Sequence, residues 1–209
     1  VTVPFKKLVI PFLDKLTPLA KETHSVNTIY KINENGKDIV IGDNTDVSGF
    51  EQSFEYINYK VKNKKVFILG AGGVVSSIIL ALKRLGVAKI LLSNRTKKNA
   101  ENLKEQYKDL EIIDWGQITD FDVIINATSL GLNKNDQIKL DYTSVGKNKL
   151  FYDVIYNPRK TNFLLKGKEL GQKTENGKMM FIYQAQLAFK IWHNILPKIN
   201  SETIKLLDL

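Results

Sequence analysis

Two residues near the start of the chain could pass a proton between them. Lys6 closes the run Val1-Thr2-Val3-Pro4-Phe5-Lys6, and Asp46 closes Gly42-Asp43-Asn44-Thr45-Asp46. A Lys and a carboxylate buried side by side can exchange a proton near neutral pH, because loss of water favours the neutral form of each. Val26-Asn27-Thr28 lies between the two runs. Taken singly, these residues say less. A given Lys in a chain with 31 Lys and Arg reads as a surface residue, and a lone Asp ahead of a helix reads as its N-cap.

A second group of residues suits phosphate. Gly70-Ala71-Gly72-Gly73 follows a strand pattern and opens a helix pattern. In that context glycine lets the backbone approach a pyrophosphate at a helix N-terminus, the alternative being a plain tight turn. The third small position of the dinucleotide fingerprint falls at Val75, with Ser76 and Ser77 just behind it, so the turn is expected to be displaced. About 20 residues beyond the glycines, an NAD-binding unit places an acid on the ribose. Here the stretch reads Ser93-Asn94-Arg95-Thr96-Lys97-Lys98, with no acid. A carboxylate would repel a 2′-phosphate, whereas Arg95 can grip it with a two-pronged guanidinium. A merely solvated basic helix start would oppose the helix dipole. Asn94, Arg95, Thr96 and Lys97 are therefore expected to select NADP over NAD.

These groups need a scaffold, and the spacing of apolar residues supplies one. KKVFILG, AKILLSN, LEIID, FDVIINAT and KLFYDVIY read as strands, with helices over Val74–Leu85 and Thr96–Tyr107 and a further one over Asn162–Leu170. Alternating strands and helices imply a parallel sheet with right-handed crossovers. Earlier, VTVPFKK reads as a short strand, Leu8–Ala20 as partly helical, and VNTIYKI and KDIVIGDN as a hairpin turning at Asn35-Gly36. A helix should follow Asp46, a long one should cover Met179–Leu196, and a last one Glu202–Leu207. The expected fold is α/β: a Rossmann-like, NADP-binding parallel-sheet domain over residues 46–176, and a smaller discontinuous α/β domain over 1–45 and 177–209.

Composition narrows the function. A hydrophobic content of 43% supports a buried core. With no Cys, disulfide scaffolds and thiolate chemistry are excluded. The formal charge of +9 favours anionic partners, but the basic residues are dispersed and not interleaved with aromatics, which argues against nucleic acid. Residues 66–82 carry no charge, yet Gly70, Gly72 and Gly73 break them early, so a strand, turn and helix fit better than a membrane span. No targeting signal is visible. His24 and His193 stand alone, and no metal site is expected.

VTVPFK, VNT, GDNTD, the glycine turn and Asn94-Arg95-Thr96 occur in an order that resembles shikimate dehydrogenases over nearly the whole chain. The resemblance implies a cytoplasmic, monomeric or homodimeric enzyme that transfers hydride between NADP and the hydroxyl of shikimate. It implies that Lys6 and Asp46 act in proton transfer and that Thr2, Asn27 and Thr45 bond substrate hydroxyls. Asn126-Ala127-Thr128-Ser129-Leu130-Gly131 is similar to the family's segment beside the ribose and nicotinamide. Tyr152-Asp153-Val154-Ile155-Tyr156-Asn157-Pro158 looks like its next strand and turn, with Ile155 on the cofactor and Tyr156 on the substrate. Asn176-Gly177-Lys178-Met179-Met180 resembles the start of the returning helix, where Gly177 and Met180 would lie by the nicotinamide and Gln184 would reach the substrate. The family often has Gly where Met179 stands. Its Ser-x-Ser anchor for the substrate carboxylate is missing, and a chain that opens on Val1 inside a motif is expected to lack its true start. Rival readings are an NAD-dependent quinate/shikimate dehydrogenase and a non-catalytic NADP-binding protein.

Overall fold

The structure is a computed structural model that describes residues 1–207. The chain groups into two compact units. The first holds residues 1–59 and 76–81 and the segment from 179 onward. It begins with a 3₁₀ turn at Ile10–Phe12, strand β1 (Lys15–Leu16), helix α1 (Pro18–Thr23), the hairpin β2 (Thr28–Glu34) and β3 (Lys37–Asp43), and helix α2 (Asp46–Tyr56). The sheet order is β1-β3-β2, with β1 parallel and β2 antiparallel to β3. Asn35 and Gly36 both take positive φ, 53° and 81°, as a tight hairpin turn requires.

One expected strand is absent. Residues 3–9 form turns, not a strand. The N–H of Phe5 turns back to the Thr2 carbonyl and that of Val9 to the Phe5 carbonyl, so these groups are not offered to a neighbouring strand. Residues 46–59, expected with the nucleotide-binding part, group with the first unit instead. The reason lies at Gly49, where a Cβ would come within 2.8 Å of Gln184 Cβ and 3.0 Å of the Met180 carbonyl. The missing side chain lets α2 pack against the backbone of the long C-terminal helix.

The second unit covers residues 60–75 and 82–178. Its elements are β4 (Lys65–Leu69), α3 (Val75–Arg84, whose middle groups with the first unit), β5 (Lys89–Ser93), α4 (Lys97–Gln106), β6 (Glu111–Ile112), β7 (Val123–Asn126), β8 (Leu150–Asp153), α5 (Asn162–Glu169) and β9 (Lys173–Glu175). All pairings in the six-stranded sheet are parallel, in the order β6-β5-β4-β7-β8-β9. After their first residue β4 and β5 are buried throughout, as are β7 and β8 along their whole length, the pattern of a sheet covered on both faces. Phe67, Phe121, Phe151 and Phe163 anchor its core. The edge strand β9 was not expected; its Lys-Thr-Glu sequence carries no apolar signal, and pairing to β8 alone defines it. Helices α6 (Lys178–His193) and α7 (Ser201–Lys205) close the described chain. No helix among the described residues is long and apolar enough to cross a membrane.

Candidate active site

Lys6 is buried, and its Nζ donates to Asp46 Oδ2 at 2.5 Å. Asp46 is the first residue of α2, where the helix dipole favours a negative charge. Its other oxygen accepts from Asn27 Nδ2 at 2.9 Å. Asn27 is the hub of this group. Its amide nitrogen also reaches Thr45 Oγ1 at 2.9 Å and Gln184 Oε1 at 3.3 Å. Its amide oxygen accepts from the Thr45 N–H at 2.9 Å and the Thr28 hydroxyl at 3.0 Å. Asn27 is 8 % exposed and Thr45 4 %. The fold thus gathers Lys6, Asn27, Thr45, Asp46 and Gln184 into one polar group. Thr2 is exposed and stands outside it.

Asp46 is not the N-cap that a lone Asp would suggest. That work falls to Asn44, whose Oδ1 accepts from the Asp46 N–H at 3.0 Å and the Val47 N–H at 3.4 Å. Its Nδ2 donates to Thr23 Oγ1, the Ser25 carbonyl and Ser77 Oγ, each at 2.9 Å. The Asp46 carboxylate is therefore free of the capping role and turned to Lys6 and Asn27. A cavity of about 420 Å³ opens beside Thr45, lined also by Tyr30, Ser48 and Lys190.

In the second unit the glycine turn sits at the C-terminal ends of the strands. Gly70 has φ 110°, and a Cβ there would strike the Ala127 carbonyl at 2.7 Å. Its N–H donates to the Ser93 carbonyl at 2.7 Å, which ties the turn to the end of β5. Gly72 is exposed with no atom near where a Cβ would stand. The turn therefore offers an open backbone face, with Ala71 and Gly73 half-buried beside it. Helix α3 opens only at Val75, which is fully buried with Ser76 and Ser77, in keeping with a displaced turn.

Past β5, Asn94 donates to the Thr96 carbonyl at 2.8 Å and shapes the entry to α4. Lys97 is drawn to Asp114 at 2.9 Å. Arg95 is exposed and, among the described residues, makes no ion pair. Past β7, the Thr128 N–H and hydroxyl both donate to Asn126 Oδ1, at 3.0 and 2.7 Å, and Ser129 is exposed. Past β8, Ile155 is buried and Tyr156 half-buried. Gly177 packs so tightly that a Cβ would lie 2.0 Å from the Val154 carbonyl oxygen. Met180 is 5 % exposed.

These features meet known proteins on common ground. The family model for shikimate / quinate 5-dehydrogenase matches residues 51–162. A shikimate dehydrogenase (NADP(+)) of Pelagibacter ubique is 58% identical over 209 residues, which cover all of this chain and 77% of the relative. The chain belongs to the shikimate dehydrogenase family. A crystal structure of the family's enzyme from Thermus thermophilus, in complex with NADP(H) and shikimate, is 28% identical with a TM-score of 0.84, covering 99% of this chain and 76% of that one. A quinate dehydrogenase from Corynebacterium glutamicum in complex with NAD is 30% identical with a TM-score of 0.86, covering 100% and 76%.

Two groups of polar residues were not anticipated from the sequence. Asn44 stands out in the sequence only as part of GDNTD, although an Asn just ahead of a helix is a recognisable cap signal. Asn126, Asp153 and Thr161 form a buried cluster at the ends of β7 and β8. A polar residue ending each of two apolar strand runs could have flagged the first two. Among the described residues, no three His, Asp or Glu side chains converge as a metal site would need.

Proposed function

We propose that the chain catalyses the reversible, NADP-dependent oxidation of shikimate to 3-dehydroshikimate, with Lys6 and Asp46 moving the hydroxyl proton. The observation that carries this reading is the buried Lys6–Asp46 pair, which a nucleotide fold by itself has no need of. Burying two charges costs several kcal/mol each before their attraction returns any of it. Lys6 and Asp46 together take and release the proton of the reacting hydroxyl. Asn27, Thr45 and Gln184 offer amide and hydroxyl groups to the remaining hydroxyls of the substrate ring. Thr2, exposed and outside that polar group, is a further hydroxyl for the substrate on the same segment as Lys6.

The chain's residues fit the cofactor. The open face of Gly70-Ala71-Gly72-Gly73 offers backbone to the pyrophosphate, and Asn94, Arg95, Thr96 and Lys97 offer donors and charge to the 2′-phosphate. Thr128, Ser129, Ile155, Gly177 and Met180 are the further contacts in this reading, and Tyr156 is the substrate contact after β8. When bound, NADP accepts hydride from the alcohol carbon. The quinate dehydrogenase with NAD marks the alternative, but the acid-free turn at Arg95 and the NADP-dependent relative favour NADP. A cytoplasmic location and a monomeric or dimeric state belong to the same proposal; a chain without cysteine needs no oxidising compartment to fold. The test is turnover of shikimate and quinate with each cofactor. Shikimate with NADP should be the preferred combination, and faster quinate oxidation with NAD would reject the assignment.

A further inference from the structure

The roles assigned above leave one buried acid unused. Asp153 ends β8 with none of its surface exposed. Asn126 Nδ2 donates to both its oxygens at 3.1 Å. The Thr161 hydroxyl donates to Oδ2 at 2.6 Å and the Ile155 N–H to Oδ1 at 3.0 Å. These donors come from the end of β7, the N-cap of α5 and the turn after β8 itself. Asn126 in turn holds Thr128 through its Oδ1 and donates to the Leu130 carbonyl at 3.0 Å. Two glycines close on the same place. A Cβ on Gly131 would press on Thr161 and Ile155 at 3.0–3.1 Å, and the Gly177 N–H donates to the Ile155 carbonyl at 3.2 Å.

We infer that Asp153 is a positioning residue for the cofactor: its ionised carboxylate fixes the turns after β7 and β8 in the shape that receives NADP, without touching NADP itself. This rests on the reading of Thr128, Ser129 and Ile155 as cofactor contacts. A carboxylate only accepts, and Asn126, Ile155 and Thr161 all donate to Asp153. A proton on it would face donors and break the pattern. Burial pushes the Asp153 value up to about 6, opposed by the hydrogen bonds from Thr161, Ile155 and Asn126. No charged side chain contributes. Asp136 after β7, Arg159 and Lys160 after β8, and Glu175 and Lys178 on either side of Gly177 form no ion pair with it among the described residues. A neutral Asn would fill the same space without a buried charge but with one acceptor oxygen fewer, so the charge serves the loops and not the core.

The test is NADP titration between pH 5 and 8, with thermal melts, on the unaltered chain, Asp153→Asn, Thr161→Val and Thr161→Ser. If binding needs the ionised carboxylate, affinity of the unaltered chain should fall about tenfold more than that of Asp153→Asn between pH 7 and pH 5. Titration of the 2′-phosphate is common to both and cancels in the comparison. At pH 7, Asp153→Asn should bind roughly tenfold more weakly, through loss of charge-assisted hydrogen bonds, yet melt no lower. Thr161→Val should also lose affinity, and Thr161→Ser, which keeps the hydroxyl, should recover it. A chain that binds no NADP at all would sink the cofactor reading and this inference with it. Binding that is intact in Asp153→Asn, with an unchanged pH curve, overturns the inference alone. So does a variant that fails to fold, which would make Asp153 a structural acid.

Discussion

Replacing Asp46 with Asn should destabilise the chain more than replacing Lys6 with Met, although the two changes break the same ion pair. The asymmetry comes from what each leaves behind. In Asp46→Asn the Lys6 ammonium loses its one charged partner among the described residues, and its side chain is only 11% exposed. An unpaired buried charge of this kind costs about 3–5 kcal/mol. Without Lys6, Asp46 keeps the Asn27 amide at 2.9 Å and the N-terminus of α2, the latter worth about 0.3–1 kcal/mol. The loss is then closer to that of a single charged hydrogen bond, about 1.5–3 kcal/mol. Combining both changes should cost less than the two losses taken together, because each single variant strands a charge that the double variant removes. Urea unfolding at constant m-value measures these differences. Shikimate turnover of either single variant should fall roughly 10²–10⁴-fold, while NADP affinity barely changes, since neither residue lies in the second unit. Equal stability losses would show that the pair is not buried as described. Near-normal turnover in both variants would remove it from the chemistry.

Arg95→Ala should weaken NADP binding roughly tenfold or more and leave NAD binding nearly untouched, because only the 2′-phosphate loses a partner; equal losses by titration would refute that role. Gly72→Ala meets no protein atom, so it should melt within about 0.5 kcal/mol of the unaltered chain yet bind NADP poorly, and unchanged binding would mean that no phosphate approaches there. Gly177→Ala drives a Cβ into the Val154 backbone and should cost about 1–3 kcal/mol by denaturant unfolding. For Asp153 the folded value is raised from 3.8 to about 6, so the folded state binds the proton more tightly. Its contribution to stability is therefore greatest in acid and is lost as pH rises through about 4 to 6, by about 3 kcal/mol at 1.36 kcal/mol per unit. Asp153→Asn should flatten that part of the curve, and a parallel curve would contradict the burial.

Much of this was legible because it is local. The apolar runs at 66–69, 90–92 and 123–125 needed only their own residues to read as buried strands, and Asn35-Gly36 needed only itself to read as a tight turn. The failures are where a partner decides. Residues 1–7 carry a strand-like sequence, but a strand exists only when another accepts its hydrogen bonds. Lys173–Glu175 carry no such sequence and form a strand because β8 is there. The placing of α2 turned on Gly49 against α6, a contact across more than 130 positions that no window of sequence contains.

The two buried acids show the same limit in the site itself. Asp46 closes the passage from β3 to α2 and Asp153 opens the one from β8 to α5, and each is at most 5 % exposed. Asp46 faces a cation, so its buried charge is balanced by an opposite one. Asp153 faces an amide, a hydroxyl and a backbone N–H, all neutral. Neutral donors can orient a carboxylate without cancelling its charge, so burial raises its proton affinity. One carboxylate is thereby balanced by a charge and the other only oriented by dipoles, the difference behind the two proposed roles. The distinction rests on whether Lys6 or Thr161 arrives opposite the carboxylate, and only the folded chain brings either of them there.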